Sequence, residues 1–148
     1  MMVADHMDFF DALVRYETDL WNAIEREVSR ETGTGLGTLQ ALRVIANHAP
    51  TARVNELSRD LGITIGAASK FVDRLERDGL AARAPHPDDR RSSLLALTRA
   101  GERARVDGED ALAGSLERMV GDIDVTAVTA LLATLQARLA TSAERSGS

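Results

Sequence analysis

The sequence predicts a mainly α-helical fold that carries one small β-hairpin, and three observations predict it. Apolar residues recur at three- and four-residue steps through most of the chain. Aromatic residues make up only 3% of its 148 residues, so a core has to come from Leu, Val, Ile and Ala, which suits helices packed side by side. A single Pro- and Asp-rich stretch from Pro85 to Asp89 separates two short apolar-flanked arms, as a hairpin turn does. With 44% hydrophobic and 28% charged residues, the chain has the composition of one folded globular domain.

Each element follows in order. Phe9, Leu13, Tyr16, Leu20, Ile24 and Val28 line one face of an amphipathic helix of about 25 residues. Gly33, Gly35 and Gly37 form a loop and not a dinucleotide cradle, because that motif needs a glycine where Thr38 stands and a strand before it. Leu36 to His48 is a second helix that buries Leu39, Leu42, Ile45 and Ala46 and stops before Pro50. Two short helices then come in tight succession. Arg53 to Asp60 buries Val54 and Leu57, with Leu61 just beyond; Gly62 makes the turn; Thr64 caps Ile65 to Arg77, whose inner face is Ala68, Phe71, Val72 and Leu75. This pair is a helix-turn-helix.

Leu80 to Arg83 and Leu94 to Leu97 are the arms of the hairpin, a wing. Thr98 caps a long helix through about Val120, and Asp124 caps a last helix with Val128, Leu131, Leu132, Leu135 and Leu139 on one side. The polar tail from Ser142 to Ser148 is expected to fray. The whole is one domain: a winged helix-turn-helix lobe at about residues 36–100, with helices at about 1–32 and 106–145 whose apolar stripes a small lobe cannot cover and a twofold dimer can.

Composition removes several functions. The absence of Cys excludes disulfides, thiolate zinc sites and thiol redox sensing. His6, His48 and His86 have no second ligand at a metal-site spacing, so neither a metal nor a cofactor is expected. No Ser sits in a nucleophile elbow and no paired carboxylates stand out, so no catalytic residue is assigned and the chain reads as a non-enzyme. The start MMVADHMDFF is no secretory leader, and no stretch approaches the roughly 18 apolar residues of a membrane span, which predicts a cytoplasmic protein.

The net charge of -5 is unevenly spread. From Arg53 to Arg105 there are 11 Lys and Arg against 8 Asp and Glu, or +3, while the rest of the chain has 7 against 15, or -8. A basic middle suits double-stranded DNA. Thr64, Ile65, Gly66, Ala67, Ser69, Lys70 and Arg74 form the outer face of the second short helix, small enough for close approach to a major groove and cationic enough for phosphates. Arg90 and Arg91 stand near the wing tip, where Asp89 orients them towards a minor groove. An aromatic-acid effector would find an aromatic wall and a cation among Arg15, Tyr16, Trp21 and His48. The residues also leave a second reading open: a winged-helix module for protein association that binds no DNA, which the net negative charge favours.

The order and wording of these elements resemble the MarR family of winged-helix regulators. The likeness is carried by LSRDLGITIGAASKFVDRLER at Leu57 to Arg77, DGLAAR at Asp78 to Arg83, an Asp-x-Arg signature at Asp89 and Arg91, and LTRAG at Leu97 to Gly101. Leu36, Gly37, Thr38, Leu39 and Gln40 stand where the family has Leu-Thr-x-x-Gln, with Gly37 replacing the threonine. The resemblance implies a homodimer on a pseudo-palindromic operator, acting as a repressor that a small molecule releases. Ile65, Gly66 and Ala67 depart from the family pattern by leaving few side chains able to hydrogen-bond bases.

Overall fold

The computed structural model describes residues 3–85 and 93–147. His86, Asp89, Arg90 and Arg91, assigned from the sequence above, lie outside the described residues. The chain forms two compact units, Met1–Ser115 and Leu116–Ser148.

In the first unit, α1 spans Val3–Thr32, α2 Leu36–Asn47, α3 Val54–Leu61 and α4 Ile65–Arg77, followed by β1 at Ala81–Pro85, β2 at Ser93–Leu97, and α5 at Arg99–Val120 as far as Ser115. The apolar stripe of α1 forms as its period demands, but only Ile24 and Val28 on it are buried. Phe9, Leu13 and Tyr16 stay 50%, 39% and 56% exposed. Length explains this: at about 1.5 Å per residue the helix runs ~45 Å, and its C-terminal part carries the packing against α2.

The α2 helix is buried almost all round, through Leu36, Leu39, Ala41, Leu42, Val44 and Ile45, because α1, α3 and β2 all pack on it. Ala46, expected inside, is only half-buried, and Gly37, expected in a loop, lies in the first turn. Gly35 caps that turn without a side chain, so Glu25 of α1 supplies the acceptor: its Oε2 takes the Leu36 N–H at 2.6 Å. Helix packing and capping are thereby done by one neighbour.

The helix-turn-helix is stitched by local polar bonds. Glu56 Oε2 accepts from the Arg53 N–H at 3.0 Å, and the Ser58 hydroxyl donates to the Ile63 carbonyl at 2.6 Å across the turn. Gly62 has φ of 66°, a left-handed conformation that only glycine adopts at no steric cost. Thr64 Oγ1 accepts from the Ala67 N–H at 3.1 Å, the expected N-cap of α4.

The strands pair antiparallel, with Ala81 opposite Leu97 and Arg83 opposite Leu95. A further main-chain bond, from the Leu95 N–H to the Ala52 carbonyl at 2.8 Å, ties β2 to the segment before α3. Ala41, Leu42, Ile45, Leu57, Ala68, Val72, Leu75 and Leu95 form the core these elements share. Phe71, expected in that core, is half-buried at its edge. On the far side, Arg43 meets Glu109 at 3.3 Å and Arg105 meets Glu109 at 2.8 Å, joining α2 to α5, and the buried Ser115 hydroxyl donates to the Glu27 carboxylate of α1.

The start of α5 is fixed by Thr98. Its hydroxyl donates to the Gly79 carbonyl at 2.6 Å and accepts from the Gly101 N–H at 3.0 Å, while its own N–H donates to the Leu80 carbonyl at 3.1 Å. Gly101 is buried against the Leu80 backbone just before β1, and a Cβ there would stand 1.9 Å from the Leu80 carbonyl oxygen.

The second unit holds the end of α5 and α6, Val125–Ser146. Asp124 Oδ1 caps α6, accepting from the N–H groups of Thr126 and Ala127 at 3.1 and 3.2 Å. All of α6 is exposed, including Val128, Leu131, Leu132, Leu135 and Leu139. The tail expected to fray is helical to Ser146, since Ala143, Glu144 and Arg145 are good helix formers and the Ser146 hydroxyl donates back to the Ser142 carbonyl at 3.2 Å. Among the described residues, no single helix is long and apolar enough to cross a membrane.

Gly101→Ala tests the tightest of these contacts. The methyl group meets backbone, not a flexible side chain, so the variant should lose about 1–3 kcal/mol of stability, read as a lower urea midpoint. An unchanged midpoint would show that α5 can move off Leu80 freely.

Candidate nucleic-acid interface

The candidate interface is built on α4. Ala68, Val72 and Leu75 are buried at 1% exposure or less, which turns the opposite side of the helix outward. Thr64, Ile65, Gly66, Ala67, Lys70 and Arg74 are all exposed there, and Ser69 is half-buried. Thr64 spends its side-chain oxygen on the cap. The Arg74 guanidinium lies over the Phe71 ring, 4.5 Å from its centroid, which holds the cation along the helix flank. Six of the seven residues read from the sequence are therefore exposed, spread over the sides of α4 and its cap that packing leaves open, with Ser69 at their edge.

One residue on this site escaped the sequence reading. Arg83 of β1 reaches α4 and binds the Asp73 carboxylate at 2.6 Å, the Glu76 carboxylate, and the Ser69 carbonyl at 3.3 Å. Strand alternation explains its direction: Arg83 shares a face with buried Ala81 and stands opposite buried Leu95, so it points at the helix. Burial works against its charge, but the Asp73 and Glu76 carboxylates outweigh that and hold the guanidinium above its ordinary pKa. The signal was present as an arginine at an inward strand position and two acids at a three-residue spacing on the helix.

Of the four residues read from the sequence as effector candidates, the three on α1 are not brought together. Arg15, Tyr16 and Trp21 all lie on α1, where their spacings place them about 100–140° apart around the axis, so one helix cannot gather them into one wall. A shallow surface cavity beside Trp21 is lined by Glu17, Thr18 and Asn22. His48 lies at the C-terminus of α2 with its Nε2 2.7 Å from Asp60 of α3, and this bond is the main reason the Asp60 carboxyl sits below its usual range. Among the described residues, no group of three His, Asp or Glu is placed to hold a metal ion.

Two helices joined by a glycine turn, the second presenting an open polar face, followed at once by an antiparallel hairpin, define a winged helix-turn-helix protein. Residues 32–92, which hold the two helices and the first strand of the hairpin, match the MarR family. Over that stretch the chain is similar to the MarR family. No curated protein matches it in sequence.

Solved structures agree along most of the chain. The transcriptional regulator BldR from Sulfolobus solfataricus is 17% identical with a TM-score of 0.82, over 93% of this chain and 99% of that one. Sco3205, a MarR family transcriptional regulator from Streptomyces coelicolor in complex with DNA, is 22% identical with a TM-score of 0.80, over 95% and 88%. CouR from Rhodococcus jostii RHA1 bound to p-coumaroyl-CoA is 26% identical with a TM-score of 0.76, over 92% and 93%.

The His48–Asp60 bond links α2 to α3, so it should be visible in acid stability. A carboxyl depressed in the folded state contributes stability that is present above its ordinary pKa of about 3.9 and lost as pH falls through the folded value. The urea midpoint of the wild type should therefore fall more between pH 5 and pH 3 than that of Asp60→Asn. Parallel falls would remove this pair from the acid response.

Proposed function

We propose that this protein is a homodimeric transcription repressor that binds a pseudo-palindromic operator in duplex DNA and is released by a small-molecule effector. The observation that carries the reading is α4, held by its buried apolar side while Thr64, Ile65, Gly66, Ala67, Ser69, Lys70 and Arg74 lie on or beside an open face fit to enter a major groove. In this reading Asp89, Arg90 and Arg91 of the wing reach a flanking minor groove, and the half-sites lie about one helical turn apart. The protein acts by binding and not by catalysis, in the cytoplasm where its DNA is.

Three further observations support it. Sco3205 has the same fold in complex with DNA, and CouR, described as a transcriptional repressor, has it bound to a 23-mer duplex. CouR has also been solved with p-coumaroyl-CoA, which favours an effector of aromatic-acid chemistry. The exposed apolar residues of α1, among them Phe9, Phe10 and Leu13, and those of α6, among them Leu131, Leu135 and Leu139, form surfaces that a second copy of the chain would cover.

Binding to the protein's own upstream DNA should weaken steeply as salt rises, and Lys70→Ala should reduce the slope of log affinity against log salt by about 1. Salt-independent binding, or none, would instead favour the protein-association module that the net charge of -5 suits.

The dimer is tested by sedimentation. The wild type should run as a dimer, and Leu131→Glu with Leu135→Glu should shift it towards monomer while helix content persists. A wild-type monomer at micromolar concentration would refute the assembly.

A further inference from the structure

An acidic pair sits where a DNA-reading helix can least tolerate it. Asp73 lies about 20° around α4 from Gly66 and about 60° from Lys70, on the open face itself, and its side chain is 65% exposed. Glu76, three residues on, flanks the same strip. Two carboxylates there would oppose the phosphates that Lys70, Arg74 and Arg77 attract.

Arg83 meets both. Its side chain is 27% exposed, its guanidinium binds Asp73 and Glu76 together, and the inward strand position described above leaves it facing the helix. The bond to the Ser69 carbonyl fixes the guanidinium at the middle of α4, one residue before Lys70.

We propose that Arg83 is a positioning and charge-neutralising residue for DNA binding, masking Asp73 and Glu76 so that the open face of α4 presents a positive field to the duplex. This rests on the DNA-binding reading above. It makes the base of the wing part of the recognition machinery although Arg83 itself need not touch DNA. Its effect is electrostatic and local, so it should depend on salt, as a loss of fold does not.

The test is fluorescence anisotropy with an operator duplex across a salt series, using the full chain. Arg83→Gln should weaken binding about tenfold at low salt, with the loss shrinking as salt rises. Adding Asp73→Asn and Glu76→Gln to Arg83→Gln should restore affinity to within about threefold of wild type. On the wild-type background, Asp73→Asn with Glu76→Gln should tighten binding, an arm that stands even where Arg83→Gln folds poorly. Wild-type affinity in Arg83→Gln, a loss equal at every salt concentration, no recovery in the triple variant, or weaker binding by the double variant would each overturn the proposal while leaving DNA binding intact. A wild type that binds no duplex would overturn both.

Discussion

Whatever this protein presents to a partner depends on how α4 is held. Ala68, Val72 and Leu75 are its only buried residues, and they meet Leu57 of α3, Leu42 and Ile45 of α2, and Leu95 of β2 in one shared core. Three small or medium side chains make a narrow contact for a 13-residue helix. The polar bonds at its edges therefore matter: the Thr64 cap at one end, the Ser58–Ile63 stitch across the turn, and the Arg83 bonds along its flank each remove a way for the helix to tilt. A recognition face is useful only when its pose is set before the ligand arrives, because ordering it on binding would subtract from affinity.

The same economy holds the wing. Its two strands bury only Ala81 and Leu95, too little for a stable isolated hairpin. It is instead bound to the lobe at three main-chain points: the Leu95 N–H on Ala52, the Thr98 N–H on Leu80, and the close approach of Gly101 to the Leu80 carbonyl. The last two place the first turn of α5 against the root of β1, so the LTRAG stretch is a joint between wing and helix.

Much of this was legible in the sequence. The helix boundaries at Ile65, Arg77 and Val120 follow from caps and apolar period; Gly62 makes the turn through its freedom at positive φ, and Thr64, Thr98 and Asp124 cap through their side chains. Single-helix periodicity does not reveal how many neighbours a helix has. It therefore underestimated burial on α2, where Ala41 and Val44 are covered too, whereas on α1 Phe9 to Tyr16 stay exposed, as expected of a stripe the lobe cannot cover. Long-range polar partners were hard to read for a related reason: Glu25 on the Leu36 N–H and Arg83 on Asp73 join residues ten or more positions apart, and the pattern behind the second is split between a strand and a helix.

The chemistry of the open face points to how a target would be chosen. Ile65, Gly66 and Ala67 stand at the leading turn of α4, all exposed, and none has a side chain that hydrogen-bonds a base edge. Gly66 and Ala67 let the backbone come close, and Ile65 offers an apolar contact of the kind a thymine methyl group accepts. Direct reading is then left to Ser69, Lys70 and Arg74, of which Ser69 is half-buried and Arg74 is held over Phe71. A face so poor in donors discriminates mainly through fit and charge. On the DNA-binding reading proposed above, the fixed pose of α4 and the sequence-dependent shape of the duplex would carry more of the selectivity than a set of paired hydrogen bonds.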